Sequence, residues 1–238
     1  MIESHDQVES TQTLAHARAE AGAGHGTAVM AREQTGGRGT RGRTWTSGEG
    51  GLWLSVVLRP DDSTGVSLAS LRIGLALARV LAPRVPVPVG LKWPNDLIVN
   101  DRKLGGILCE SRWIGDRLAW IVVGIGLNVR NGLAGHLMST GIRLADLGYS
   151  GGAEELAEPV VGAVLDGGSR SGPLAPAELL AFRDRDWLLG RDLAGPVAGR
   201  AAGITPLGHL LVETADGRRE ETVGSVTLAG LAPGEATR

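Results

Sequence analysis

Two lysines stand out in a chain of 238 residues. Of its 24 basic side chains, all but Lys92 and Lys103 are arginine. Arginine serves wherever a generic positive charge is enough, so the two lysines mark either positions that call for a compact ammonium or chance survivors of that bias. Lys92 opens the run Lys92-Trp93-Pro94-Asn95-Asp96. A carboxylate and an amide beside an ammonium suit a triphosphate and its Mg²⁺, although Pro-Asn-Asp is also good β-turn chemistry. Lys103 opens Lys103-Leu104-Gly105-Gly106-Ile107-Leu108, whose glycines let a ligand approach the backbone. A glycine loop carries Arg38, Arg41 and Arg43 and has no acid between Gln34 and Gly48. Its backbone N–H groups and guanidinium forks suit a phosphate or carboxylate, and its glycines suit a loop that orders over an anion. A solvated surface loop, or an RGG-type RNA contact, fits the same residues. Finally, Gly124-Ile125-Gly126-Leu127-Asn128-Val129 ends an apolar run in one amide, which needs partners if buried, structural or ligand.

Familiar nucleotide and metal motifs do not account for these residues. Gly37-Arg38-Gly39-Thr40-Arg41-Gly42 fits G-x-G-x-x-G, but 37 glycines make one such match expected about once by chance. The Rossmann form also needs a helix directly afterwards, and Arg43–Gly51 has three glycines and no helical period. There is no Gly-Lys-Ser/Thr for a P-loop and no His-Glu-x-x-His.

The elements that must position these groups are legible in outline. Ser10 caps a helix running to about Ala21, with Gly22 just beyond. Thr27–Glu33 and Leu52–Arg59 read as strands around the glycine loop, and Ser67 caps an apolar helix to about Ala82. Strands near Val89–Trp93, Leu97–Asn100, Lys103–Ser111 and Arg117–Val129 follow, joined by tight turns. Helical patterns occupy about Arg143–Leu147, Glu154–Asp166 and Pro176–Leu189. Short strands follow from Gly190 at Asp192–Ala198, Ala201–Ile204, His209–Thr214, Arg219–Val223 and Ser225–Leu228. This predicts an α/β fold of the α+β type: a mixed β-sheet domain with flanking helices over residues 1–188, and a small β-barrel over 189–238. A tail of about 49 residues is marginal alone and should pack on the larger domain.

Composition excludes several classes. With 42% hydrophobic and 21% charged residues, the chain can bury a core and is not disordered as a whole. A net charge of −2 argues against a general nucleic-acid-binding protein. The single cysteine, Cys109, removes disulfide frameworks, Cys-rich zinc sites and iron–sulfur clusters. The polar, acidic start is no signal peptide, and the longest uncharged apolar-rich run, Leu118–Val129, is too short to span a bilayer. The expectation is a cytoplasmic protein.

Taken in order, the motifs resemble those of the biotin–protein ligases. Ser10-Thr11, Gln34-x-x-Gly-Arg-Gly with Arg41, Arg43 and Trp45, Lys92-Trp-Pro-Asn-Asp, Lys103-Leu-x-Gly-Ile-Leu and Gly124-Ile-Gly-x-Asn all match. The match is strong over about 8–130 and weak over Trp187–Leu228, where it resembles that family's SH3-like C-terminal domain. Only nine residues precede Ser10, which resembles the monofunctional class that lacks a DNA-binding domain.

The resemblance implies a two-step reaction on biotin and ATP with Mg²⁺. Biotin attacks the α-phosphate to give biotinyl-5′-AMP, and a lysine of a biotin carboxyl carrier domain then takes the biotinyl group. Implied biotin contacts are Ser10, Thr11, Gln12, Gln34, Arg38, Gly39, Thr40 and Lys103. The neutral polar side chains among them match a ureido ring. Implied ATP contacts are Arg38, Arg41, Arg43, Trp45, Lys92, Asn95 and Asn128. Lys103, Arg38 and Asp96 carry the chemistry, with Asp96 also toward Mg²⁺. The implied partner is the carrier domain of a biotin-dependent carboxylase, with no DNA and no membrane, and a homodimer is allowed for. Two positions depart from the family pattern: Gln12 stands where asparagine is usual, and Thr40 where arginine is frequent. A lipoate–protein ligase is the neighbouring alternative, but its Arg-rich glycine signature with a nearby histidine is absent. An RNA-binding module using Gly36–Arg43 is the alternative of another class.

Overall fold

The computed structural model describes residues 2–135, 137–222, 224 and 226–229. Its polar first residues, in which the sequence shows no apolar period, form strand β1 (Ile2–Val8). This is an edge strand, paired in parallel with β2 (Ala28–Gln34). An edge strand with a solvated side needs no run of apolar residues, which is why periodicity misses it. Between them lies helix α1 (Thr11–Glu20), with Ser10 at its N-cap position. Strand β3 (Leu52–Leu58) and helix α2 (Ala69–Leu81) follow. Then come β4 (Gly90–Lys92), β5 (Asp96–Val99), β6 (Arg102–Ile114) and β7 (Arg117–Leu127).

These seven strands form one sheet in the order β1-β2-β3-β7-β6-β5-β4. Only the β1/β2 pair is parallel, so the sheet is mixed. β3 explains the layering. All seven of its residues are buried, and alternate side chains of a strand face opposite sides. Leu52, Leu54, Val56 and Leu58 join the main core with α2, whereas Val57 joins Ala15 and Ala19 of α1. Helices therefore cover both faces. On the main-core side α2 packs against α4 (Glu154–Gly168), and α5 (Pro176–Arg183) also packs on α2. A short helix α3 (Leu137–Thr140) precedes them.

Two boundaries differ from the sequence reading. The helix expected to reach Leu189 ends at Arg183, because the following backbone bonds to β4: Leu91 N donates to Arg185 O at 2.7 Å and Trp187 N to Leu91 O at 3.0 Å. The segment expected as a helix at Arg143–Leu147 is a single 3₁₀ turn at Leu144–Leu147, closed by Gly148 with φ 90°.

The remaining strands are β8 (Asp192–Gly195), β9 (Gly199–Ile204), β10 (Leu210–Thr214), β11 (Gly217–Glu221) and β12 (Thr227–Leu228). They form a five-stranded antiparallel sheet in the order β11-β10-β9-β8-β12. Among the described residues no pairing of β11 with β12 closes it into a barrel. Val223, Ser225 and residues 230–238, which fall within the strands and barrel expected from sequence, lie outside the described residues. Leu193, Ala201, Leu210 and Val212 of this sheet belong to the same buried cluster as α2 and β3. Trp93 Nε1 donates to Gly208 O at 2.8 Å, tying the Lys-Trp-Pro-Asn-Asp run to the C-terminal sheet.

Candidate functional site

A cavity of about 380 Å³ opens where the start of α1, the glycine loop and strands β3, β5, β6 and β7 meet. That volume lies in the range of small-molecule sites. One end is neutral and polar. Gln34 Oε1 accepts from Thr11 N at 2.8 Å and from Thr11 Oγ1 at 3.0 Å, while Gln34 Nε2 donates to Ser47 Oγ at 2.7 Å. Ser55 Oγ lies 2.9 Å from Thr11 Oγ1 and donates to Gln12 Oε1 at 3.1 Å. Gln12 Nε2 donates to Glu110 Oε2 at 3.0 Å and to Val122 O at 3.1 Å. Its reach depends on Gly124, where a Cβ would stand 2.6 Å from Gln12 Oε1.

The other end is cationic. Lys103, buried on β6, places Nζ 2.7 Å from Asp96 Oδ1 and 5.1 Å from the centre of the Trp45 ring. Trp45 rests on the facing pair Gly106 and Gly126, where added Cβ atoms would come within 3.3 and 2.9 Å of the indole. A side chain at Gly126 would displace the tryptophan, and one at Gly106 would press on it. Arg38, Thr40 and Arg43 complete the wall. The loop that carries them is a narrow excursion with a hydrogen-bonded base: Trp45 N donates to Gly37 O at 2.8 Å and Gly39 N to Arg43 O at 2.7 Å. Its tip is a 3₁₀ turn, Thr40–Gly42. Thr40 holds a neighbour in place, because Arg43 donates Nη2 to Thr40 Oγ1 at 2.7 Å and Nε to Thr40 O at 3.1 Å.

Two buried polar atoms of residues in this wall, Ser10 Oγ and Trp45 Nε1, have no hydrogen-bond partner among the described residues, although buried polar groups are normally satisfied. Ser10 occupies the N-cap position without capping the helix through its side chain, and the residue lines the cavity.

The structure gathers Ser10, Thr11, Gln12, Gln34, Arg38, Gly39, Thr40, Arg43, Trp45, Asn95, Asp96 and Lys103 around one space. Three expected residues stand off its wall. Asn128 is fully buried, donates Nδ2 to Lys103 O at 3.3 Å and accepts from Asn131 Nδ2 at 3.2 Å, so it supports the lysine's backbone from behind. Arg41, in a left-handed conformation (φ 61°), extends toward Gly224 of the C-terminal segment. Lys92 is buried beside Asp96, its Nζ 5.6 Å from the centre of the Trp187 ring. Burial pushes the Lys92 ammonium down to about 8; Asp96 opposes that, and Lys103 and Arg43 reinforce it. Asn95 reaches the wall, but its Nδ2 is spent on Ile107 O at 2.8 Å.

Sequence reasoning missed Ser55 as a member of the site. Its signal was present: one hydroxyl in the otherwise apolar strand Leu52–Leu58. Glu110 was missed as well, because only the fold brings it behind Arg38.

A neutral polar end joined to a cationic end over one floor defines a receptor for an elongated small molecule that is uncharged at one end and anionic at the other. The family model of the biotin/lipoate A/B protein ligases matches residues 5–128, and the chain belongs to that family. The bifunctional ligase/repressor BirA of Bacillus subtilis is 39% identical over 127 residues, covering 52% of this chain and 39% of that protein. The biotin–[acetyl-CoA-carboxylase] ligase of Mycobacterium tuberculosis is 39% identical over 130 residues, covering 52% of this chain and 47% of that protein. The match therefore spans less than half the length of these curated relatives. Among solved structures, the biotin protein ligase from Aquifex aeolicus in complex with biotin and ATP superposes with a TM-score of 0.80 and 28% identity, over 95% of this chain and 97% of that one. The Leishmania major biotin protein ligase in complex with biotinyl-5-AMP gives a TM-score of 0.66 and 29% identity, over 92% and 97%.

Proposed function

We propose that this chain is an ATP-dependent biotin–protein ligase. The observation that carries the reading is one cavity whose wall is neutral and polar around Ser10, Thr11, Gln12 and Gln34 and cationic around Arg38, Arg43 and Lys103. Biotin's ureido group matches the neutral end in both donors and acceptors. Its carboxylate then points toward Lys103. Biotin carboxylate and ATP phosphates repel one another, and Lys103, Arg38 and Arg43 would hold both at reacting distance. A carboxylate oxygen attacks the α-phosphorus and pyrophosphate leaves, giving biotinyl-5′-AMP. A lysine amine of a carrier domain then attacks the acyl carbon and AMP leaves. The mixed anhydride hydrolyses readily, so the glycine loop also has to exclude water.

Mg²⁺ enters with ATP as part of the substrate. Such an ion needs one or two carboxylates besides the phosphates. Among the described residues Asp96 is the one carboxylate on the cavity wall, and since Oδ1 already holds Lys103 it would meet that demand through its second oxygen. Lys92 and Arg41 act on ATP in this reading from outside the wall, Lys92 through the charge it adds beside Asp96. The C-terminal sheet is read as an SH3-like domain over 189–238, packed on a catalytic domain over 1–188. The carrier is a biotin carboxyl carrier domain, and the ATP requirement puts the reaction in the cytoplasm. No helix among the described residues is long and apolar enough to cross a membrane.

Pyrophosphate exchange measured with biotin and with lipoate in turn tests the reading. Exchange with biotin and not lipoate is the expected result. Exchange with lipoate alone would replace it by the neighbouring ligase, and exchange with neither would end it.

A further inference from the structure

Behind the glycine loop lies a chain of hydrogen bonds that the reaction above does not use. Glu110, on β6 and half-buried, receives donors from three directions. Arg38 Nη2 donates to Oε1 at 2.6 Å, Gln12 Nε2 donates to Oε2 at 3.0 Å, and His16 Nε2 stands 3.4 Å from Oε2. His16 is itself oriented, because the indole N–H of Trp120 donates to its Nδ1 at 3.0 Å. With Nδ1 accepting, the neutral ring carries its proton on Nε2, facing Glu110. Gln12 is fixed in turn by Val122 O and Ser55 Oγ. The hydrogen bond from His16 holds the Glu110 carboxyl below the usual range; burial opposes it, and Gln12 and Arg38 reinforce it.

The carboxylate is thus locked to α1 and the sheet, and the one member of the network on a loop is Arg38. That loop has three glycines around the arginine, and among the described residues Arg38 is tied through a single bridge to Thr44 and through Glu110. An exposed ion pair contributes little when both side chains must be ordered to make it. Here one side is ordered in advance, and the contact uses one nitrogen of the guanidinium, leaving the rest of the fork for the cavity.

We propose that Glu110 is a positioning residue that aims Arg38 at the anionic end of the ligand, with Gln12 and His16 holding Glu110 in turn. The proposal rests on the ligase reading for the identity of the ligand, but not for the contact itself. A residue that works through Arg38 has no effect once Arg38 is gone, so the decisive test is a double-mutant cycle. Biotin affinity is measured by titration calorimetry for wild type, Glu110→Gln, Arg38→Gln and the double variant. Thermal melting and hydrogen exchange of residues 37–43 are followed in the ligand-free proteins.

The expected result is about tenfold weaker biotin binding in Glu110→Gln, the loss of one charge-assisted contact. The double variant should be no weaker than Arg38→Gln alone, and loop exchange should be faster in ligand-free Glu110→Gln. Glu110→Asp, which keeps the charge, should recover part of the affinity, and it supplies the second variant if the glutamine form does not fold. Additive penalties in the cycle, or unchanged affinity and unchanged loop exchange, would overturn the proposal. Failure of the wild-type protein to bind biotin would instead sink the ligase reading, and the ligand-free exchange comparison would still decide the role of Glu110.

Discussion

Two clusters of buried charge in this molecule are built from similar parts and are finished differently. Arg72 of α2 is buried and donates to Glu178 Oε1 at 3.1 Å and to the carbonyls of Arg170, Ser171, Gly172 and Pro173 at 2.9–3.3 Å. Burial alone would raise the Glu178 carboxyl, but the Ala175 N–H, Arg72 and Arg170 outweigh it and hold it below its ordinary value. That network pins the loop between α4 and α5 and is closed. The Lys103–Asp96 pair is equally buried, yet Lys92 stands beside the same carboxylate, so two ammoniums share one anion at the cavity's edge. Burying charge is costly in both places. The first cluster recovers the cost by pinning a loop, whereas the second presents Lys103 and Asp96 in the cavity wall with Lys92 beside them. Location, in a loop anchor or in a cavity wall, thus separates the two.

The largest effect expected from this contrast is on stability. Arg72→Ala removes the buried cation from Glu178 and the side-chain donor from four carbonyls, which costs roughly 3–5 kcal/mol, or a melting temperature lower by about 6–20 °C. Biotin affinity of the folded protein should be unchanged. A melting temperature within experimental error of wild type would remove the distinction between the clusters. Lys103→Arg should do the reverse. The fold is retained, because Asp96 keeps a cation, but a planar fork cannot stand in for a compact ammonium. Adenylation, followed as AMP release, should fall on the order of a hundredfold or more; near-normal turnover would show the lysine to be a chance survivor.

Thr40 sharpens the comparison on the loop. Relatives with arginine there carry one more cation, and one charge-assisted contact is worth roughly 1.5–3 kcal/mol, about ten- to a hundredfold in residence. Thr40→Arg should therefore slow dissociation of preformed biotinyl-AMP at fixed salt. The substitution also frees Arg43 from the threonine hydroxyl it now uses, so equal rates would mean that the gain and the loss cancel. The smallest effect is on pH dependence. An ammonium is charged below its pKa, and that of Lys92 is pushed down to about 8. The kcat/KM for ATP, which reports the free enzyme, should decline as pH rises through about 8. Lys92→Gln should be lower below that point and lack this limb. An unchanged alkaline limb in the variant would assign it to another group.

Much of the site was legible because its residues are rare against their background. Lys103 among arginines and a cation-rich glycine loop each stood out locally, whereas Lys92 and Asn128, as conspicuous in the sequence, stand off the cavity wall. Ser55 was as visible, a hydroxyl in an apolar strand, but a lone serine has no local property that separates a cavity wall from a structural hydrogen bond. Asn128 illustrates the converse. Sequence left a structural amide and a ligand contact equally open, and only the packing of β7 against the start of β6 turns it toward Lys103 O. The edge strand β1 was silent for a third reason, since its pairing depends on β2 and not on its own pattern.

By itself, the sequence determined most of the strands and helices around the site, the glycines that let Trp45 lie on the sheet, and the cations available to meet an anion. These follow from near-neighbour chemistry: side-chain period, turn residues and the absence of a Cβ. The tertiary structure alone decided which charges face one another. Lys103 meets Asp96 seven positions away because β5 and β6 pair, Arg38 meets Glu110 72 positions away, and Arg72 meets Glu178 106 positions away. Electrostatic interaction depends on distance and burial, and neither is a local property of the chain.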